Sequence, residues 1–259
     1  MAAGEGDVPD WRDAAAYAPL LHADRSFIAW DWLRRTPGYR AAAERARDAS
    51  VGRHVGGPGD APEHWGLHDF VPPHLATPVA RPIWSADAYP HVLRVETGPA
   101  RGDEDFDLER VAAMTSLVGA ADGREHLLIS DGLRVIRVDV LEGTVAAGPA
   151  RLHYRLSGLA SAERAVLTLR RLLAFWRTGR FCRSLHPVEA RARRWALMLR
   201  AHDALASGAD QRAIAEVLLS AEAGEPRWRC RVPSLQSRAQ RLVARARHMS
   251  SGGYRELLQ

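Results

Sequence analysis

The chain has 259 residues, 46% hydrophobic and 26% charged, enough for one large domain or two small ones with a real core. No apolar run reaches the roughly 18 residues of a membrane helix, and the start, Met1-Ala2-Ala3-Gly4-Glu5, has no apolar signal core, so a cytoplasmic protein without a membrane partner is expected. All 36 basic residues are arginine, which excludes the chemistries that need a lysine: a Walker phosphate loop, a pyridoxal Schiff base and a kinase fold.

Cys182 and Cys230 are the only cysteines, too few for a disulfide framework or a cysteine-based zinc site, and both are expected as reduced, packed thiols. Charge is divided unevenly. Residues 1–150 hold 15 Arg against 23 acids, net −8, whereas residues 151–259 hold 21 Arg against 8 acids, net +13. Genomic arginine bias would enrich both halves equally, so the asymmetry points to a polyanion partner for the second.

In chain order, the segment up to about Val8 reads as disordered. A helix begins near Asp24 and Ser26, carries Phe27, Ile28, Trp30, Trp32 and Leu33, and stops before Pro37. Pro37 opens a second helix through Ala49, and Gly52 to Gly59 reads as a linker. Prolines at 62, 72, 73, 78 and 82 predict irregular backbone packed by Trp65, Phe70 and Trp84. Strand alternation follows at 91–95, 127–129, 133–140 and 152–156, with Asp131-Gly132 predicting a type I′ hairpin turn, so a small antiparallel sheet is expected. The acidic run Asp103 to Asp107 reads as a solvated loop before a short helix.

After Gly158 the period becomes helical. Ala162, Val166, Leu169, Leu173 and Trp176 make the stripe of a buried face. Pro187 is expected to open the next helix, with Val188, Ala192, Trp195, Leu199 and His202 on one face and Arg191, Arg193, Arg194 and Arg200 over the rest. Asp210 caps a short helix that holds Gln211, Arg212, Ile214, Ala215, Val217 and Leu218 and reads as the first helix of a helix-turn-helix. A long connection through Gly224 to Pro233 leads to the second helix, with Ser234 as N-cap and an end near Met249.

At 100° per residue, Leu235, Ala239, Leu242, Ala246 and Met249 fall on one inward arc of that second helix, and Ser237, Gln240, Arg241, Ala244 and His248 lie opposite. Recognition helices read bases near their N-terminal ends. Gln236, Ser237, Gln240 and Arg241 are therefore the candidate readers, since Gln pairs with adenine and Arg with guanine through two hydrogen bonds each. Arg238, Arg245 and Arg247 fall nearer phosphates. A solvated amphipathic bundle helix is the alternative.

The expected fold is α+β: a helical module and linker over 1–60, an irregular segment with a small antiparallel sheet over 61–158, and a basic helix-turn-helix-type DNA-binding domain over 159–259. Its DNA-binding residues are Gln211, Arg212, Ser234, Gln236, Ser237, Arg238, Gln240, Arg241 and Arg245. His64, His68, Asp69 and His74 lie close in sequence, but the prolines around them oppose the helix that would make the first two a metal pair, and no metal or cofactor is expected. No Gly-x-Ser-x-Gly elbow occurs, and Gly56-Gly57-Pro58-Gly59 lacks a following Lys-Ser/Thr, so no enzyme is expected.

Leu133-Arg134-Val135, the Trp195 helix, Asp210 to Ala215, Ser234 to Arg238 and the ending Met249 to Arg255 together resemble a domain shared by the FseA-type activators and QseM-type antiactivators of proteobacterial integrative and conjugative elements. Ser26 to Arg35 with Pro37 to Arg40 resembles the transcriptional regulator-like module that accompanies it. The resemblance implies a transcriptional activator that binds promoter DNA through a helix-turn-helix derivative and controls excisionase expression and element transfer. A QseM-like antiactivator and RNA polymerase are the protein partners it implies. Regulation through protein contacts alone, without base readout, stands as the alternative.

Overall fold

The computed structural model describes residues 8–50, 61–219 and 233–259, and of residues 50, 233 and 234 the backbone only. The expected disordered start, the Gly52 to Gly59 linker, the connection from Gly224 and Cys230 lie outside the described residues. The fold is mixed α+β.

Helix α1 is Arg25–Leu33, and the Asp24 side chain caps it by accepting from the Ser26 N–H at 2.9 Å. Every residue from Ser26 to Leu33 is buried, so this helix is a core element on all sides. Helix α2, Pro37–Ser50, follows as Pro37 dictates. The proline-rich chain from 61 to 90 wraps α1, and three aromatic donors tie the two segments and α2 together. Trp30 Nε1 donates to Leu75 O at 2.8 Å, Trp84 Nε1 to Ser26 O at 3.2 Å, and the Tyr39 hydroxyl to Val71 O at 2.8 Å.

Five strands form one sheet: β1 (Val92–Pro99), β2 (Thr115–Gly119), β3 (Glu125–Ser130), β4 (Val135–Glu142) and β5 (Ala150–Arg155), in the order β2-β3-β4-β1-β5. The expected all-antiparallel sheet is corrected here, because β1 and β4 run parallel while the other pairs are antiparallel. The β2–β3 hairpin lies in the crossover that a parallel pair needs. The β3–β4 turn is also not type I′. Ser130 pairs with Val135 across a four-residue connection in which, of the two residues expected to have positive φ, only Gly132 does, at 92°; Asp131 Oδ1 accepts from the N–H groups of Leu133 and Arg134 at 3.0 and 2.8 Å.

One core packs Leu93, Val95, Ile129, Ile136, Val138 and Val140 under helix α3, Leu159–Thr178, through Leu172 and Phe175. The other runs from Trp11 to Leu258, joining α1, the 61–90 chain and the helices α4 (Ala192–Ala206), α5 (Gln211–Ile214) and α6 (Pro233–Ser250). The chain is thus layered with α3 on one face of the sheet and the helical body on the other.

Four local expectations change. The buried side of α3 is Thr168, Arg171, Leu172 and Phe175, with Val166 and Leu173 exposed, because Thr168 Oγ1 and Arg171 Nε find the carbonyls of His91 and Leu185 at 3.2 and 2.9 Å. Helix α4 starts at Ala192 rather than Pro187; Val188 is exposed and Glu189 pairs with Arg25 at 2.6 Å. Asp105, in the acidic run, is buried, accepting from the Arg101 and Gly102 N–H groups and pairing with Arg151 at 3.1 Å. Cys182 is exposed rather than packed, its Sγ lying 3.1 Å from Ser184 Oγ.

Candidate nucleic-acid interface

Helix α6 has one wet side and one dry side. Leu235, Ala239, Leu242, Ala246 and Met249, the predicted inward arc, are all buried, and Val243 extends it. They pack on α4 and on α5 with its π-helical continuation Ala215–Leu219. The helix begins at Pro233, so Ser234 lies within its first turn instead of preceding it as the N-cap; proline at the first turn loses no intrahelical bond. Gln236, Ser237, Arg238, Gln240, Arg241, Ala244, Arg245, Arg247 and His248 are exposed.

Nothing on α6 itself neutralises that surface, since the segment PSLQSRAQRLVARARHMS contains no acid. Among the described residues Arg238, Arg241, Arg245 and Arg247 form no ion pair, whereas His248 Nε2 lies 3.2 Å from Glu256 Oε1. Beyond Gly252 a short 3-10 turn, Gly253–Leu258, buries Tyr254, Leu257 and Leu258 against α1 and so fixes the C-terminal end of the helix.

The preceding helix is capped as its sequence predicts, Asp210 Oδ1 accepting from Ala213 N–H at 2.7 Å. Ile214, Ala215 and Leu218 are buried and Val217 half-buried. Gln211 and Arg212 are exposed, and Arg212 Nε reaches Glu216 Oε1 at 3.0 Å, so this arginine is already paired. Arg191, which precedes α4, and Arg193 and Arg194 on it are exposed, but Arg200 serves the fold by donating to Trp11 O at 2.9 Å and Arg12 O at 3.0 Å.

A buried ion network, with the i,i+3 and i,i+4 spacing of Asp31 to Arg34 and Arg35 at one end and no local sequence signature for Asp203 at the other, ties this helical body to the N-terminal module. Arg35 forks onto Asp203 on α4, Nε to Oδ1 at 2.8 Å and Nη2 to Oδ2 at 2.9 Å, and turns Nη1 to Asp31 Oδ1 at 3.0 Å. Arg34 Nε donates to the same Asp31 oxygen at 2.7 Å, and the Tyr17 hydroxyl donates to Asp203 Oδ2 at 2.6 Å. Burial alone would raise the Asp31 pKa, but Arg34 and Arg35 outweigh it and hold the carboxyl below its usual range. Burial, reinforced by Asp203, pushes the Tyr17 phenol upward, so the hydroxyl stays a donor.

His68, His126 and Asp139 bring ligand-type atoms within 4.8 Å of one another. The rings of His68 and His126 stack at 3.4 Å, and His126 Nδ1 lies 2.8 Å from Asp139 Oδ1. The same oxygen accepts from the buried Arg137 at 2.8 Å, so a guanidinium already supplies the positive charge that a dication would bring. His64 and His74, the other histidines of that stretch, are not in the group.

Residues 156–259 match the family described as a type VI secretion transcription factor, DNA-binding domain, of RovC type. Residues 10–68 match the proteobacterial transcriptional regulator-like domain. No curated protein matches the chain. The two matched regions support a DNA-binding transcription regulator, with DNA as a partner, and point away from an enzyme. Among the described residues no helix is long and apolar enough to cross a membrane.

Proposed function

We propose that α6 is the DNA-reading helix of a transcriptional activator. Gln236, Ser237, Gln240 and Arg241 face base edges, Arg238 and Arg245 hold phosphates, and Gln211, Arg212 and Ser234 complete the contact set. The observation that carries this reading is the acid-free outer face of α6, where four arginines stand exposed and, among the described residues, without an ion pair beside two glutamines while the inner face is packed. In the finer reading, resting on the resemblance to FseA-type and QseM-type regulators, the activator controls an excisionase promoter and element transfer, with RNA polymerase and a QseM-like antiactivator as protein partners.

Titration of the full chain onto duplex DNA over a salt series tests the interface, with an expected log-log slope of about −0.9 per phosphate neutralised. The double variant Arg238→Ala with Arg245→Ala flattens that slope by about 2. An unchanged slope would place the contact elsewhere, and the absence of duplex binding would favour regulation through protein contacts alone. A genome-wide footprint then separates an excisionase promoter from a type VI secretion promoter.

A further inference from the structure

The helical body holds a groove that lies apart from the outer face of α6. It is a cavity of about 320 Å³ whose floor is the outward stripe of α4, with Arg193, Leu197 and Arg200 at i, i+4 and i+7. One wall is the N-terminal 3-10 segment Ala15–His22, through Tyr17 and Leu21. The other is the π-helical turn Ala215–Leu219, through Val217 and Leu218, and single π turns are frequent at functional sites. Three separate stretches of chain thus enclose a volume at the low end of small-molecule sites, about 300 to 1,000 Å³.

Two chemistries meet in this groove. Leu21, Leu197 and Val217 are half-buried and Leu218 is buried, so its centre is apolar. Tyr17 offers only its ring, because its hydroxyl bonds Asp203 at 2.6 Å. Around this centre stand Arg12, Arg193 and Arg200, and among the described residues no acid lines the groove.

The charge survives a count of the pairs these arginines make. Arg193 is exposed and has no ion pair among the described residues. Arg200 donates to Trp11 O and Arg12 O, and neutral carbonyls hold a guanidinium in place without cancelling its charge. Arg12 has Asp10 at 3.7 Å, a pair whose side chains are 59% and 61% exposed and which therefore contributes little. Of the other acids on these elements, Asp203 is held by Arg35 and Glu216 by Arg212, while Asp13 accepts from the Ala15 N–H at 2.9 Å. A positive excess remains even with Asp10 and Asp13 counted.

We infer that the groove is an effector site for a small organic anion, with an apolar body over Leu21, Leu197 and Val217 and a carboxylate or phosphate in the field of Arg193 and Arg200. A nucleic-acid backbone has no apolar part to cover those three side chains. The π turn that forms one wall packs on α6, so an occupant that prefers one setting of that turn biases the support of the reading helix. This coupling rests on the DNA-reading role proposed for α6.

The test uses the full chain, with naphthoate and naphthyl phosphate as probes and naphthylmethanol as the neutral control, each measured by equilibrium dialysis. Saturable binding of an anion with a Kd below about 1 mM is expected, with the alcohol about ten-fold weaker or worse, and the tighter anion identifies the head group. Arg193→Glu, at an exposed position, weakens anion binding by about ten-fold, whereas Arg194→Glu, exposed on the same helix but outside the groove, leaves it unchanged. Saturating naphthoate shifts duplex affinity by about five-fold or more relative to equal acetate. Dialysis needs no DNA, so failure of this site and failure of the α6 reading are told apart. No saturable anion binding, equal binding of the alcohol, or an equal response to the two substitutions overturns the site. Unchanged duplex affinity in a chain that binds both naphthoate and duplex overturns the effector role. Loss of duplex binding on Arg193→Glu in a chain that binds neither anion assigns the groove to nucleic acid instead.

Discussion

Arg34 and Arg35 at the end of α1 and Arg238, Arg241, Arg245 and Arg247 on α6 are the same side chain in opposite settings. The first two are buried, and between them they meet Asp31 and Asp203 at 2.7 to 3.0 Å. The other four are exposed, on a helix without an acid. A buried guanidinium requires its carboxylates, so that arrangement binds two parts of the chain together. An exposed row without ion pairs among the described residues leaves its charge available to phosphates. The net +13 of the second half marks a functional surface only where such arginines escape internal pairing.

The largest effect that would sharpen this contrast is at Asp203. Asp203→Ala strips Arg35 of its bidentate partner, leaving its buried charge to Asp31 and the Tyr17 hydroxyl to a long bond with Pro9 O at 3.3 Å, and should cost about 3 to 5 kcal/mol in urea unfolding. A loss under about 1 kcal/mol would show that the network is no anchor. Next is Leu242→Ala on the dry side of α6, expected to cost about 2 to 4 kcal/mol through lost packing, with the wet side intact at low temperature. If it altered sequence preference in the folded protein, the division of α6 into packing and reading sides would fail.

The smallest is a pH effect. Burial lowers the His68 pKa to about 4 and also lowers those of His91, His186 and His202. The unfolded chain titrates these groups near 6.5, so below that pH it takes up protons that the folded chain refuses, and stability falls toward pH 4. The depressed Asp31 adds stability that is full above about pH 4 and lost as pH drops through its folded value. The thermal midpoint should thus be flat above pH 7 and decline below 6.5, with a smaller decline in His68→Gln. A midpoint rising on acidification would contradict the burial assigned to these rings.

The sides of α6 were legible because a helix packed on one flank obeys its own period, and Leu235 through Met249 followed it. On α3 the same reasoning set the inward side too far round, since Thr168 and Arg171 are buried against carbonyls supplied by distant segments and Leu169 and Trp176 pack at the margin, while Val166 and Leu173 are exposed. The alternation of β4 marked Arg137 and Asp139 as polar positions, but the 61–90 chain covers that face and Trp84 O accepts from the Arg137 guanidinium at 3.0 Å. Strand β2 was missed because Thr115–Gly119 carries little alternation. The Arg35–Asp203 pair joins residues 168 apart in sequence, a distance at which no periodicity operates.

The central claim is that α6 reads sequence, and a matched pair of substitutions tests it most directly. Binding of Arg241→Ala and Arg245→Ala is measured on the footprinted site and on random duplex at the same salt. The account predicts that Arg241→Ala loses about 1 to 3 kcal/mol on the site and much less on random DNA, whereas Arg245→Ala weakens both alike. A specific-to-random ratio unchanged by Arg241→Ala in a folded protein would contradict it and move the search to the exposed arginines of α4, Arg193 and Arg194.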